Sequence, residues 1–321
     1  MNLHEVATCL LEEFDARRPS AIFGRSDLNL SIDDAYDVQF EVAAMRQSRG
    51  ERVAGYKIGC ISDTMQRQLG IDHPVFGHVW DSEIHRSGAH LRPQDFDGLA
   101  IEGELAIRLQ DDVPSSAWLR NNPEVVARHL AVIELHNYVF RGAESNRAAE
   151  LVTNNAIHAG VVIADEEAAS NNFNPNSILQ VDRNAERLGE GVAPHLQNGP
   201  VDIVAAVSEH LERRGLHLMR DQIILTGSPL PLWRVAPGDR ITVRCDGLAD
   251  VSCTIRGVAL TNCSTGAAVG RVFCVSEVAD HRPVTGLMNT ILTVLIAYTF
   301  YPTKPEMRGV VLQGTVVPIT P

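Results

Sequence analysis

The stretch Ala100-Ile101-Glu102-Gly103-Glu104-Leu105-Ala106-Ile107 reads as a strand interrupted by two carboxylates. Side chains two residues apart on a strand leave the same face, so Glu102 and Glu104 stand side by side. Two carboxylates on one sheet face repel unless something positive lies between them, and a hard cation with oxygen ligands answers that need. The other reading is a pair of exposed acids on an amphipathic strand, and by spacing alone it is the commoner of the two. A third acid, Glu134, ends the apolar run Leu130-Ala131-Val132-Ile133, where a charge at the margin of a core needs a partner.

Outward from this stretch, short apolar runs separated by Gly, Pro, Asp and Asn predict strands at 53–58, 101–109, 130–135, 159–163, 223–226, 240–245 and 251–258. Pro237-Gly238-Asp239 and Asp246-Gly247 supply turns between the last three. Before them, Leu3, Val6, Ala7, Leu10, Leu11 and Phe14 form the stripe of an amphipathic helix ending near Arg17-Arg18-Pro19. A second helix starts at Ser31, with Asp34 three residues on as a capping box, and Gly50 stops it. A third spans 201–214, with Gly215 as its terminator. Strands dominate the middle without regular βαβα alternation, so the fold class is α+β. The expected organisation is a helical layer at 1–50, a β-rich catalytic domain at 51–262 and an atypical tail at 263–321, to which no role is assigned.

Charge and composition narrow the function. Lys and Arg number 28 against 40 Asp and Glu, a net charge of −12, and no basic stripe offsets the repulsion a phosphate backbone would meet, so no nucleic-acid partner is expected. The six cysteines lack a CxxC pair, which argues against a zinc cluster or disulfide framework and fits a reducing cytoplasm. No basic n-region opens the chain. The apolar run 287–301 falls short of the roughly 20 residues of a membrane span, so no membrane partner is expected.

Other residues could carry chemistry. Gly55-Tyr56-Lys57-Ile58-Gly59 puts one cation in an apolar, glycine-flanked strand, either to bind a carboxylate or to snorkel off a sheet edge. Leu225-Thr226-Gly227-Ser228-Pro229 offers hydroxyls and a glycine at a strand end, either a carboxylate-binding loop or a plain turn. His136 is a candidate acid or base, since free imidazole titrates near neutrality, and a hydrogen-bonded structural histidine is an equal reading. No GxSxG elbow and no GxGxxG loop after a strand is present, which removes those hydrolase and nucleotide-binding classes.

Taken in order, Asp34-Ala35-Tyr36…Gln39, Gly55-Tyr56-Lys57-Ile58-Gly59, Pro74-Val75-Phe76-Gly77, Glu102-Gly103-Glu104, Ile133-Glu134-Leu135, Asn155-Ala156…Gly160, Ile224-Leu225-Thr226-Gly227-Ser228 and Pro237-Gly238-Asp239 resemble the 2-keto-4-pentenoate hydratase branch of the fumarylacetoacetate hydrolase superfamily, over residues 1–262. The resemblance implies a mainly β, barrel-like sheet and Mg²⁺ or Mn²⁺ on Glu102, Glu104 and Glu134. It also implies a small 2-oxo acid substrate, a homo-oligomer, and tautomerisation of a 2-hydroxy-2,4-dienoate followed by water addition to give a 4-hydroxy-2-oxo acid. Lys57 matches the family's active-site lysine. With it, His136 and Asn155 are the catalytic candidates, and Thr226, Gly227 and Ser228 the substrate-binding ones.

The chain departs from that branch at Val75, where an acid is usual, at Asn137, where an aspartate is usual, and at Ile157, where a serine is usual. The departures bear on proton transfer more than on the metal. They keep an acylpyruvate-type C–C hydrolase or a 2-oxo acid decarboxylase on the same scaffold as alternatives, and a catalytically silent 2-oxo-acid-binding subunit as another. His136 or His158 is the candidate to replace the missing group.

Overall fold

The computed structural model describes residues 2–257 apart from Arg17, 19–20, 26–27, Ala127, 166–175 and 193–198, and beyond them the backbone of four short strands. Two helices open the chain. In α1 (Leu3–Asp15) the Asn2 side chain accepts from Glu5 N while Glu5 reaches back to Asn2 N, and Val6, Ala7 and Leu10 are buried. The helix α2 (Ile32–Ser48) starts on the Ser31–Asp34 capping box expected from sequence, which satisfies amides that the first turn leaves without partners.

The rest of the chain alternates as β1 (Val53–Gly59), α3 (Asp63–Leu69), β2 (Val75–Trp80), β3 (Ile84–Arg86), β4 (Ala89–Leu91), β5 (Leu99–Arg108), α4 (Ser116–Asn121), β6 (Arg128–Asn137), α5 (Arg147–Thr153), β7 (His158–Ile163), β8 (Ile178–Arg183), β9 (Glu186–Val192), α6 (Pro200–Glu212), β10 (Ile223–Leu225), β11 (Trp233–Arg234), β12 (Arg240–Cys245) and β13 (Val251–Ile255). Among the described residues these strands form one sheet of order β2-β1-β10-β5-β6-β7-β3, with β11 on β5, and a second of order β4-β13-β12-β8-β9. The α+β class expected from the order of strands and helices is the one observed. Gly215 ends α6 in a left-handed conformation (φ 69°), and Leu216 N–H closes on Leu211 O, as its position in the sequence predicts.

The large sheet curls. Its two faces are read from the pairing of β5 with β6, which sets Ala100 opposite His136, Glu102 opposite Glu134, Glu104 opposite Val132 and Ala106 opposite Leu130. The alternate residues Ile101, Leu105, Ile133 and Leu135 face the second sheet and share a core with Val181, Val243, Val251 and Cys253. Gly103 makes that packing possible, because a methyl group there would run into Val181. On the concave face Val79, Ala106, Leu130, Val132, Val161, Ile163, Ile223 and Leu225 form an aliphatic floor. The helices α2, α5 and α6 cover the outer side of β1 and β2, where Tyr36, Tyr56, Ile58 and Phe76 are buried.

Contacts divide the chain into Met1–Arg256 and Gly257–Pro321. The first unit holds the helical layer together with both sheets. In the second, β14 (Leu260–Cys263) pairs antiparallel with β15 (Val272–Val275), and β16 (Val310–Leu312) with β17 (Thr315–Val317). The apolar run 287–301 and most of the Asn-rich loop before β8 lie outside the described residues. Among the described residues no helix is long and apolar enough to cross a membrane.

Candidate metal centre

One end of the concave face carries charge above the aliphatic floor. Glu102 and Glu104 leave β5 on that face, and Glu134 lies directly across from Glu102 on β6. From β1, three strands away along the sheet, Lys57 reaches over the interior and places its Nζ 3.1 Å from Glu134 Oε1. Glu134 is fully buried, Glu104 is 1% exposed and Lys57 4%, while Glu102 keeps about a fifth of its side chain open at 21%. Among the described residues Glu102, Glu134 and His136 can each offer one ligand atom within 4.8 Å of the others, a group that takes in His136 and leaves out the expected Glu104.

Two histidines brace the carboxylates. His158, at the start of β7, sets its Nδ1 2.7 Å from Glu134 Oε1, and His136 sets its Nε2 3.2 Å from Glu102 Oε2. An ionised carboxylate only accepts, so each contacting ring nitrogen carries the hydrogen. That leaves His136 Nδ1, His158 Nε2 and Glu134 Oε2 as buried atoms without a hydrogen-bond partner.

The electrostatics follow from crowding. Burial pushes the Glu104 carboxyl up, and the neighbouring Glu134 and Glu102 push it further, against Lys57. Burial also acts to raise Glu134, but Lys57, His136 and His158 outweigh it and hold this carboxyl well below its usual range. Lys57 stays protonated in spite of burial, because Glu134, Glu104 and Glu102 all face it.

The loop after β10 delivers a backbone amide rather than hydroxyls. Thr226 Oγ1 donates to Leu105 O at 3.0 Å and Ser228 Oγ to Gly103 O at 2.9 Å, whereas Gly227 N–H donates to Glu104 Oε2 at 3.1 Å. Gly227 has φ 84°, a left-handed conformation that favours glycine. Asn155 stands apart from the carboxylates. Its Oδ1 accepts from His78 N at 2.6 Å and its Nδ2 donates to His78 O at 2.8 Å. Asn137 accepts from Asp97 N at 2.9 Å. Val75 lies across from Gly59, and a methyl group on Gly59 would sit 3.3 Å from Lys57 Nζ and 3.5 Å from Val75 Cγ2. Apolar surface thus adjoins the lysine where an acid is usual. A cavity of about 750 Å³ borders Asn137, Asn155 and His158 without including the three glutamates.

The family model described as fumarylacetoacetate (FAA) hydrolase C-terminal matches residues 68–256. The chain belongs to this family. Among curated relatives, a 2-hydroxyhexa-2,4-dienoate hydratase of Comamonas testosteroni is 26% identical over 76% of this chain and 93% of its own length. A 4-oxalocrotonate decarboxylase of Pseudomonas sp. (strain CF600) is 26% identical over 70% and 85%. The solved 4-oxalocrotonate decarboxylase from Pseudomonas putida G7, complexed with magnesium and adipate, superposes with a TM-score of 0.65 at 22% identity, over 79% of this chain and 98% of that one. It shares the fold.

Proposed function

We propose that the chain is a divalent-metal-dependent hydro-lyase that adds water to a 2-hydroxy-2,4-dienoate, or its 2-oxo-4-enoate tautomer, giving a 4-hydroxy-2-oxo acid. Glu102, Glu104 and Glu134 would hold Mg²⁺ or Mn²⁺. The observation that carries this reading is the buried cluster itself: three carboxylates face one ammonium, which leaves excess negative charge in a site of low dielectric. The three carboxylates offer only oxygen, as a hard cation prefers, and Glu134 Oε2 is buried with no hydrogen bond, only an approach of 3.7 Å to His136 Nε2; the donors that converge within 4.8 Å are Glu102, Glu134 and His136. When bound, such a cation supplies positive charge next to the 2-oxo group, where negative charge develops during tautomerisation.

The protein's own groups do the rest. Lys57 remains charged and therefore serves as a hydrogen-bond donor and counter-charge, not as a base. The Thr226–Ser228 loop spends its hydroxyl hydrogens on β5 carbonyls and its Gly227 amide on Glu104, so its part is to orient that carboxylate beside the substrate. His136 Nδ1 is the bare acceptor available to take a proton from the attacking water, while its Nε2–H holds Glu102 in place. The aliphatic floor keeps water out from below. Relatives matched over most of their length that bear hydratase names support the reaction class. A homo-oligomer acting in the cytoplasm remains part of the proposal.

A second reading has one observation in its favour. Val75 puts a buried aliphatic side chain close to Lys57, in the position where hydratases of this branch carry an acid, and decarboxylases are among the relatives. The purified chain, supplied with Mg²⁺ or Mn²⁺ and 2-hydroxypenta-2,4-dienoate, is expected to consume the diene absorbance and yield a hydroxy-oxo acid. Release of CO₂ from a 2-oxo diacid, or pyruvate plus a second acid from an acylpyruvate, in place of hydration would assign it to the decarboxylases or C–C hydrolases. Inactivity towards the whole panel would leave the silent subunit.

A further inference from the structure

Asn155, Ala156 and Ile157 have φ of 55°, 52° and 54°. Three successive non-glycine residues in the left-handed region are each sterically costly, and a β-branched residue such as Ile157 adopts it least readily. Such a turn persists only where its surroundings over-determine it. Here the Asn155 amide supplies the constraint, taking both the N–H and the C=O of His78 on the edge strand β2, in the manner of a neighbouring strand. The approach is so close that a methyl group on Gly77 would lie 2.8 Å from Asn155 O. From α2, Gln39 Nε2 adds a second clamp, donating to Phe76 O at 3.0 Å and to Val152 O at 2.6 Å, and so ties β2 to the helix that leads into the turn.

The turn delivers two groups to the charged cluster. Ala156 O accepts from Lys57 Nζ at 3.5 Å, and His158, the next residue after the turn, meets Glu134 at 2.7 Å. Lys57 and His158 converge on the same oxygen, Glu134 Oε1, while Oε2 makes no hydrogen bond and lies 3.7 Å from His136 Nε2. We propose that Asn155 is a positioning residue: by pinning a strained left-handed turn to β2 it sets the placement of Lys57 and His158 on Glu134, and through them the orientation of that carboxylate. Asn155 is thereby removed from the proton-transfer candidates, since its amide is engaged by backbone. Only the metal-affinity arm of the test rests on the proposed cation site.

The test compares the wild type with Asn155→Gly, which removes the amide but accepts a positive φ without strain, and with Gly77→Ala, which pushes the turn off β2 and leaves the amide in place. In the metal-free protein, the slowly exchanging Nδ1 proton of His158 in a ¹⁵N histidine spectrum reports the bond to Glu134. It is expected in the wild type and lost in both variants. Mn²⁺ affinity by calorimetry is expected to fall about tenfold in both, the scale for losing a partner of a metal ligand. A retained His158 proton and unchanged Mn²⁺ affinity in Asn155→Gly, with only kcat reduced, would make Asn155 catalytic and overturn the proposal. Should one variant not fold, the other decides alone. A wild type that binds no Mn²⁺ sinks the cation site, and the His158 signal then decides the positioning role by itself.

Discussion

Lys57 Nζ lies 3.1 Å from Glu134 Oε1 although β10 and β5 separate their strands. A flat sheet would hold these positions roughly 14 Å apart at the usual strand spacing, so the contact measures the curl. Lys57→Met removes the ammonium from a fully buried carboxylate. Breaking a buried pair this way costs about 3–5 kcal/mol, and the stability of the variant should become metal-dependent. Urea unfolding with and without millimolar Mg²⁺ is the check. A variant as stable as wild type in chelator would mean that the pair is not the partner of Glu134 that its geometry indicates.

Glu104 accepts from Gly227 N at 3.1 Å, and crowding by Glu134 and Glu102 adds to the effect of burial on its carboxyl. Glu104→Gln keeps an acceptor for Gly227 and relieves that repulsion. The variant should therefore fold at least as well as wild type without metal, yet bind Mn²⁺ more weakly by a hundredfold or so, the upper end for lost partners of metal ligands, and lose turnover. Calorimetry on the folded protein separates the two effects, and undiminished affinity would remove Glu104 from the ligand set.

Gly103 sits between the two glutamates but faces the other way, against Val181 and Val243 of the second sheet. Gly103→Ala over-packs that interface and should cost about 1–3 kcal/mol, with Gly103→Val costing more. The midpoint of denaturant unfolding reports it. An unchanged midpoint would show that the sheets separate readily at this point, contrary to the close packing seen.

The lateral part of the site was legible in the sequence and the transverse part was not. A spacing of two puts Glu102 and Glu104 on one strand face, and an acid ending an apolar run marks Glu134, because strand periodicity is local. That Lys57 meets Glu134 depends on curl, which no single strand encodes. The ordered motifs placed Lys57 in the site only through the family resemblance. The hairpin β8–β9 carries no sequence signal, because its turn is Asn184-Ala185, with φ 52° and 71°, where Asn-Gly is the usual one. Thr226 and Ser228 suggested hydroxyl ligands, but the Gly227 amide is what reaches Glu104. Asn155 shows its role only once β2 is seen as an edge strand in need of a partner.

His78 and His210 are neutral residents of the outer core. His210 stacks on Phe76 with ring centres 4.4 Å apart, and His78 lies edge-on to Phe40 at 4.9 Å. Burial pushes His78 down to about 4 and His210 to about 3, the latter helped by Arg214. An unfolded histidine titrates near 6.5, so below that pH the unfolded chain takes up protons that the folded chain refuses. Stability should be full above about pH 6.5 and decline as the pH falls towards 4, by roughly 2 kcal/mol per histidine at pH 5. Between 6.5 and 4.5 the depressed carboxyl of Glu134 does not yet contribute to the change, whereas the raised carboxyl of Glu104 gains stability as the pH falls and opposes the histidines. His85 is lowered by burial as well, so the decisive comparison is His210→Phe, which keeps the stack on Phe76 and deletes one titrating group. Its urea midpoint should fall less between pH 7 and pH 5 than that of the wild type, and equal slopes would show that His210 is not held neutral.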